Sequence, residues 1–165
     1  MHTIKTDRLI IQEATLAYDQ FFVKLMNSPG WLQYIGDRGI RHQYDAQKYI
    51  KHSLHSSYQK NKYGLYLVIE QVSNTPIGIC GLLQRTYLTS PDIGFAILPA
   101  YEGKGYITEA GIAVIEDARV RLGIETVMGI TIPGNKGSQR VLEKLGLRFS
   151  KEIERSGETL WLYSI

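Results

Sequence analysis

The stretch "DIGFAILPAYEGKGYITEA" (residues 92–110) places a loop with two glycines between a predicted strand and a predicted helix. The strand is residues 92–98, and Gly123 ends the helix. One face of this helix is apolar because apolar residues recur at every fourth position, at Ala110, Val114, Ala118 and Leu122. A helix that starts directly after such a loop attracts anions, since its first N–H groups have no partner within the helix.

The glycine loop admits two interpretations. Gly103 and Gly105 have no Cβ, so the chain can turn tightly and a ligand can approach the backbone closely. The N–H groups from Gly103 to Thr108 would then converge on an oxyanion, with Lys104 adding positive charge at the rim. The second interpretation is that the loop is only a strand-to-helix turn that needs two glycines. The Walker and dinucleotide patterns are absent, because Gly105 follows Lys104 and Thr108 stands where a third glycine is required.

The segments outside the loop predict a sheet covered by helices. Alternating or β-rich segments indicate strands at residues 4–13, 66–72, 77–88, 92–98 and 125–132, and helical spacing indicates helices at 17–27, 45–60 and 135–146. A terminal hairpin over 148–165 turns near Ser156–Gly157. We therefore predict one α+β domain over residues 1–165, in αβα layers, with a mixed, mostly antiparallel sheet of about seven strands and helices on both faces.

Composition and charge exclude several classes of protein. Hydrophobic residues make up 44% of the 165 residues and charged residues 21%, as in ordinary globular domains. The net charge of +3 is too small to indicate a nucleic-acid partner. No apolar run reaches the roughly 20 residues of a membrane span, and the N-terminal residues lack the long apolar segment that is typical of a signal peptide. With a single cysteine, these features predict a cytoplasmic protein without a membrane partner.

Two segments carry a family resemblance. Residues 92–110 and "IPGNKGSQRVLEKLGLRF" (132–149) resemble, in order and spacing, the pyrophosphate-binding motif and the Asn-containing helix of the GNAT superfamily of acyl-CoA N-acyltransferases. They are most similar to its ribosomal-protein N-terminal acetyltransferase-like branch. The predicted order of elements agrees along the whole chain. The resemblance implies the GNAT fold and an acetyl-CoA-dependent N-acetyltransferase that uses no metal.

The resemblance also implies how acetyl-CoA is held. Backbone amides of the glycine loop would cradle the pyrophosphate, and the strand ending at Ile97 and Leu98 would splay from its neighbour to pair with pantetheine. Asn135 would hydrogen-bond the cofactor arm, although an Asn at a helix start also serves as a cap. The full set of expected contacts is Ile97, Leu98, Gly103, Lys104, Gly105, Tyr106, Ile107, Thr108 and Asn135. The family usually has Arg or Gln at position 102, where Glu102 places a carboxylate that is unfavourable beside phosphate unless it points away.

Transfer of an acetyl group from a thioester to an amine needs a neutral amine, donors for the oxyanion and support for the departing thiolate. The expected base is Asp92 at the head of its strand, unless this residue only forms a turn. Glu152 and Glu154 are further candidates. Ser138 matches the position that orients or hydrogen-bonds the sulfur in this branch, or is a plain first-turn residue. An N–H near Leu98 is the expected oxyanion donor.

The expected acceptor region is "WLQYIGDRGIRHQYDA" (31–46), because in this family the corresponding segment lines the acceptor cleft. The candidates that would shape a pocket or bind a charged acceptor are Trp31, Tyr34, Asp37 and Arg38. The alternative is that Asp37 and Arg38 pair locally within a loop shaped by glycines. The acceptor is either a protein N-terminal amine or a small-molecule amine.

Other features support weaker alternatives. Cys80 lies in an apolar strand and is a core residue rather than a nucleophile, and His52 and His55 lack a third metal ligand nearby. A catalytically silent acyl-CoA-binding sensor or interaction module is the alternative to an enzyme, and a nucleotide-binding or RNA-binding domain is a third class. An exposed edge at the terminal hairpin would allow a homodimer.

Overall fold

An eight-stranded sheet forms the centre of the computed structural model, which describes residues 1–165. The strand order is β1-β2-β3-β4-β5-β6-β8-β7, and only β5 and β6 run parallel. The strands are β1 (Thr3–Lys5), β2 (Leu9–Gln12), β3 (Leu65–Glu70), β4 (Thr75–Leu83), β5 (Asp92–Ile97), β6 (Met128–Thr131), β7 (Arg148–Arg155) and β8 (Glu158–Ser164). The predicted mixed, mostly antiparallel sheet is confirmed, with one strand more than expected.

The additional strand comes from the N-terminal segment, which the sequence predicted as one strand over 4–13. Here β1 and β2 form a hairpin in which Ile4 pairs with Ile11. The hydroxyl of Thr6 accepts a hydrogen bond from the Leu9 N–H at 3.0 Å, and the Thr6 N–H donates to the Leu9 carbonyl at 3.0 Å. Four consecutive polar residues, 5–8, interrupt the alternation at this turn, and the single predicted strand ran through them.

Six helices accompany the sheet: α1 (Asp19–Met26), α2 (Pro29–Tyr34), α3 (Gln43–Tyr49), α4 (Ser56–Asn61), α5 (Tyr106–Leu122) and α6 (Lys136–Lys144). The helix predicted over 17–27 is α1, and Pro29 opens a further helix, α2, because a helix's first position needs no N–H donor. A π-helical segment, Ile50–His55, joins α3 to α4, so the predicted helix over 45–60 is present with an irregular centre. No helix is long and apolar enough to cross a membrane.

The core lies along the central strands, and the functional opening lies between β5 and β6. These two strands share one pair of residues, Asp92 with Met128, and then diverge as predicted. The Leu98 N–H donates to the Ile77 carbonyl on the β4 side at 2.8 Å. Because backbone groups alternate in direction along a strand, those of Phe95 and Ile97 face away from β4, toward the opening. One stretch of β5 thus offers unpaired backbone groups to a ligand.

The other end of the sheet is the edge strand β7, in which every residue except Ile153 is exposed. Phe149 on this strand is 51% exposed and contacts Trp161 edge-on, with ring centroids 5.3 Å apart. The exposed edge on which the homodimer prediction depends is therefore present, and the dimer itself stays a prediction.

Candidate active site

A cleft of about 550 Å³ is bounded by β5, the glycine loop (residues 103–108), α6 and α2. The predicted site residues that line it are Trp31, Tyr34, Ile97, Gly103, Gly105, Tyr106, Ile107, Thr108, Asn135 and Ser138. Positions predicted from distant parts of the sequence therefore meet in one cavity. The predicted site residues outside this lining are Asp37, Arg38, Asp92, Leu98 and Lys104.

The glycine loop has the donors that an anion requires. Gly103 and Gly105 have φ of +72° and +79°, a left-handed conformation that other residues adopt only under strain. Gly105 caps the 17-residue helix α5. None of the N–H groups of residues 103–108 donates to a protein acceptor. The free N–H groups, together with the positive end of the helix dipole, make this loop a binding site for negative charge.

A charged cluster behind the loop holds it in place. The guanidinium of Arg8 donates to the Lys104 carbonyl at 3.0 Å and to the Glu109 carboxylate at 2.6 Å. It also lies over the Tyr106 ring, 4.4 Å from the centroid. The Tyr106 hydroxyl donates to Glu70, and this hydrogen bond raises the pKa of Tyr106. Sequence analysis missed Arg8 and Glu109, because their contact joins positions 101 residues apart and leaves no local pattern.

The carboxylate of Glu109 also holds the turn that precedes β2. Its Oε1 accepts hydrogen bonds from the Thr6 hydroxyl at 2.6 Å and from the Arg8 backbone N–H at 3.0 Å. Partial burial acts to raise the pKa of Glu109, but the hydrogen bonds from Thr6 and Arg8 outweigh it, and the pKa is lowered. Glu109 is therefore a carboxylate at neutral pH and pairs with Arg8 as an ion.

Two charged side chains beside the loop, those of Lys104 and Glu102, lie in positions that the sequence did not predict. Lys104 does not line the cleft, and its Nζ lies 5.6 Å from the centroid of the Tyr101 ring. Glu102 does line the cleft, and its Oε1 would be 3.9 Å from a Cβ placed on Gly30 of α2. The Glu102 carboxylate, which would be unfavourable beside a phosphate, thus extends toward α2.

The start of α6 forms the opposite wall. The Asn135 side chain caps this helix by accepting a hydrogen bond from the Ser138 N–H at 3.2 Å, so the capping role is confirmed. The amide N–H groups of Asn135 and the hydroxyl of Ser138 have no protein partner, and both residues line the cleft. Arg140 and Lys144 line the same wall and bring positive charge that the sequence analysis did not single out. Their spacing of four residues on a helix is the signal that would have placed them on one face.

Asp92 does not lie in the cleft. It is 1% exposed, sits where β5 and β6 still pair, and accepts a hydrogen bond from Arg85 at 2.9 Å. Burial raises the pKa of Asp92, and Arg85 opposes this shift. The geometry gives no support to its role as a base, which stays a prediction.

The Leu98 N–H, the expected oxyanion donor, is bound to the Ile77 carbonyl. The free N–H groups nearest to it along β5 belong to Ile97 and Phe95.

The acceptor candidates divide into two groups. Trp31 and Tyr34 of α2 line the cleft, and Trp31 is 5% exposed with an indole N–H that has no partner. Asp37 instead accepts hydrogen bonds from Arg41 and from the Gly39 N–H, and the Arg41 bond is the main cause of its lowered pKa. The local pairing considered for Asp37 is thus present, with Arg41 rather than Arg38 as partner.

Residues set aside at the sequence level lie outside the cleft. Cys80 is fully buried, which raises the pKa of its thiol to about 12 and leaves no thiolate at neutral pH. The Nε2 of His55 lies 2.8 Å from the Ala14 carbonyl. No group of three His, Cys, Asp or Glu side chains is arranged to hold a metal ion.

Residues 8–148 match the model of the acetyltransferase (GNAT) domain family. The chain belongs to the GNAT acetyltransferase family. This GNAT protein is 26% identical over 164 residues to the uncharacterized N-acetyltransferase YnaD of Bacillus subtilis (strain 168), a match that covers 98% of the chain and 92% of YnaD. Membership confirms the predicted enzyme class, an acetyltransferase, whose donor in this family is acetyl-CoA.

Solved structures share the fold at low sequence identity. An acetyltransferase from Agrobacterium tumefaciens str. C58 has a TM-score of 0.84 at 22% identity, covering 100% of the chain and 94% of that protein. RimL, a ribosomal L7/L12 alpha-N-protein acetyltransferase in complex with coenzyme A, has a TM-score of 0.86 at 16% identity, covering 99% and 97%. The predicted GNAT fold is confirmed, and its likeness extends to ribosomal-protein acetyltransferases.

Proposed function

We propose that this GNAT protein transfers the acetyl group of acetyl-CoA to a primary amine by direct attack in a ternary complex. The observation that carries the proposal is the glycine loop: the six consecutive N–H groups of residues 103–108 have no protein acceptor, and five of these residues line a cleft beside the diverging strand β5. A pyrophosphate supplies the acceptor oxygens that these donors lack. Charge-assisted hydrogen bonds of this kind are among the strongest that proteins form.

In this proposal the cofactor follows the cleft from the glycine loop along β5. The pyrophosphate occupies the loop at the start of α5, and Arg140 and Lys144 add positive charge from α6. The two amides of pantetheine pair with the outward-facing backbone groups of Phe95 and Ile97, as an added strand would. Asn135 contributes its free amide N–H groups from the facing wall.

The reaction then needs few side chains. The nitrogen of a neutral amine attacks the thioester carbonyl carbon, the carbon–sulfur bond breaks, and coenzyme A leaves as a thiolate while water takes the proton lost by nitrogen. The Ser138 hydroxyl lines the cleft with no protein partner, so it donates a hydrogen bond to the sulfur as negative charge develops there. Serine is a weak acid, so this role is stabilisation rather than proton transfer.

The cleft favours acceptors that are already partly neutral. Glu102 is the one carboxylate in its lining, and Asp92 is buried against Arg85. Without a strong base, the fraction of neutral amine controls the rate. At pH 7.5 this fraction is roughly a quarter for an α-amine of pKa about 7.9 and about one in a thousand for a lysine-like amine of pKa about 10.4. We therefore propose an α-amine, such as the N-terminus of a peptide or protein, as the preferred acceptor.

A panel of paired amines tests the proposal. Peptides with a free N-terminus and no lysine are compared with N-blocked peptides that contain lysine and with a polyamine, each with acetyl-CoA. Release of free thiol and a mass increase of one acetyl group are measured. The expected result is acetylation of free N-termini at least tenfold faster than of the other amines. No transfer to any amine, despite tight binding of acetyl-CoA, would favour the silent acyl-CoA-binding module.

A further inference from the structure

We propose that Arg8 sets the orientation of the glycine loop, and so determines affinity for the pyrophosphate of the cofactor, by binding the carbonyl of Lys104 from behind. The inference rests on the proposed function, since it takes acetyl-CoA as the ligand of the loop. It concerns a residue behind the loop: Arg8 is absent from the lining of the cleft, whereas Gly105, the residue after Lys104, is part of it.

Three contacts hold the guanidinium in one place. Its Nε donates to Oε2 of Glu109 at 2.6 Å, its Nη1 donates to the Lys104 carbonyl at 3.0 Å, and its carbon lies 4.4 Å from the centre of the Tyr106 ring. The backbone N–H of Arg8 is also bound to Glu109. These contacts restrain the residue at both its main chain and its side chain.

Because the peptide bond is planar, the contact between Arg8 and the Lys104 carbonyl also determines the direction of the Gly105 N–H. In a trans peptide, the C=O of one residue and the N–H of the next point in opposite directions. The chain contains no cis peptide bonds. Because the Lys104 carbonyl points at Arg8, the Gly105 N–H points away from Arg8, and that N–H has no protein acceptor. Arg8 therefore aims a central donor of the loop at the ligand.

The left-handed conformation on either side makes this restraint necessary. Gly103 and Gly105 both have positive φ, and a glycine has a wide range of accessible conformations. A Cβ placed on Gly103 would meet no atom within 4 Å, so packing does not fix this part of the loop. The hydrogen bond from Arg8 to the intervening Lys104 supplies the missing restraint, which preserves the donor array before a ligand arrives.

The test compares Arg8→Gln with Arg119→Gln, which removes the same charge from an exposed position in the last turn of α5. Binding of coenzyme A is measured by calorimetry, and binding of pantetheine, which lacks the pyrophosphate, by NMR titration. We expect Arg8→Gln to weaken coenzyme A binding about tenfold, the effect of losing one well-aimed hydrogen bond to a charged group, and to leave pantetheine binding within twofold. Arg119→Gln should leave both unchanged.

A second pair of variants separates orientation from charge and from folding. Arg8→Gln leaves Glu109 unpaired near the loop, and the double variant Arg8→Gln/Glu109→Gln removes that carboxylate. We expect the double variant to recover thermal stability but not coenzyme A affinity, and Arg8→Lys, which can still donate to Lys104, to recover part of the affinity. Restored affinity in the double variant, or equal losses for coenzyme A and pantetheine, would overturn the inference. If wild-type protein binds no coenzyme A, the proposed function fails instead.

Discussion

Replacement of Gly105 by alanine tests the structural basis of the glycine loop most sharply. Gly105 has φ of +79° and caps α5, and a Cβ at this position would lie 3.5 Å from Nη2 of Arg8. This distance is ordinary van der Waals contact, so the substitution creates no steric clash. The penalty is conformational: a left-handed alanine costs about 1–2 kcal/mol.

The protein has two ways to accommodate this penalty, and both are measurable. If the loop keeps its conformation, the free energy of unfolding falls by about 1–2 kcal/mol. If the alanine relaxes to negative φ, the Gly105 N–H turns away from the ligand. The loss of one hydrogen bond to a charged group is worth about 1.5–3 kcal/mol, which is roughly a ten- to hundredfold loss of affinity. The hydrogen bond from Arg8 to the Lys104 carbonyl opposes this relaxation, so we expect the cost to divide between lost stability and lost affinity.

Gly123 provides the matched control. It follows the C-terminus of the same helix with φ of +67°, and a Cβ there would meet no atom within 4 Å. Gly123→Ala should therefore lose about 1–2 kcal/mol of stability while binding acetyl-CoA like the wild type. Denaturant unfolding and calorimetric titration of both variants give the two quantities. Wild-type affinity together with wild-type stability in the Gly105→Ala protein would refute the left-handed donor geometry assigned to the loop.

Three further substitutions address other parts of the site. Ser138→Ala should lower kcat several-fold with the affinity for coenzyme A unchanged, which steady-state kinetics and calorimetry distinguish; a change in affinity alone would place the hydroxyl elsewhere. Asn135→Ala should reduce stability by about 0.5–2 kcal/mol through loss of the helix cap, as measured by denaturant unfolding. Burial raises the pKa of Asp92, so its carboxyl stabilises the fold most at low pH, and this contribution is lost as the pH rises through the raised value. The difference between the melting temperatures of wild type and Asp92→Asn should therefore decrease as the pH is raised from about 4 to about 7. An increase would contradict a raised pKa of Asp92.

The sequence predicted those parts of the structure that local patterns encode. The four-residue recurrence along α5 and the glycines before it identified the loop, because helix period and backbone freedom are local properties. The N-terminal hairpin was missed because the polar run at residues 5–8 is short and contains no glycine or proline to mark a turn. The strand count was therefore one too low.

The site was predictable only where it depends on a motif. The loop and the start of α6 lie where the family resemblance placed them, since each motif is contiguous in the chain. The support of the loop by Arg8 and Glu109 was not predictable, because it joins the turn before β2 to α5 through tertiary packing. Asp92 heads the strand that the motif identified, but β5 is still paired with β6 there and the cleft opens further along, so its role as a base stays a prediction.

The central claim is that the glycine loop binds the pyrophosphate of acetyl-CoA. Calorimetric titration of the purified protein with acetyl-CoA, alongside ATP and NAD at matched salt concentration, tests it most directly. We expect selective binding of acetyl-CoA with a dissociation constant in the micromolar range. Failure to bind acetyl-CoA, with binding of ATP or NAD instead, would contradict it and show that the loop holds a different phosphate.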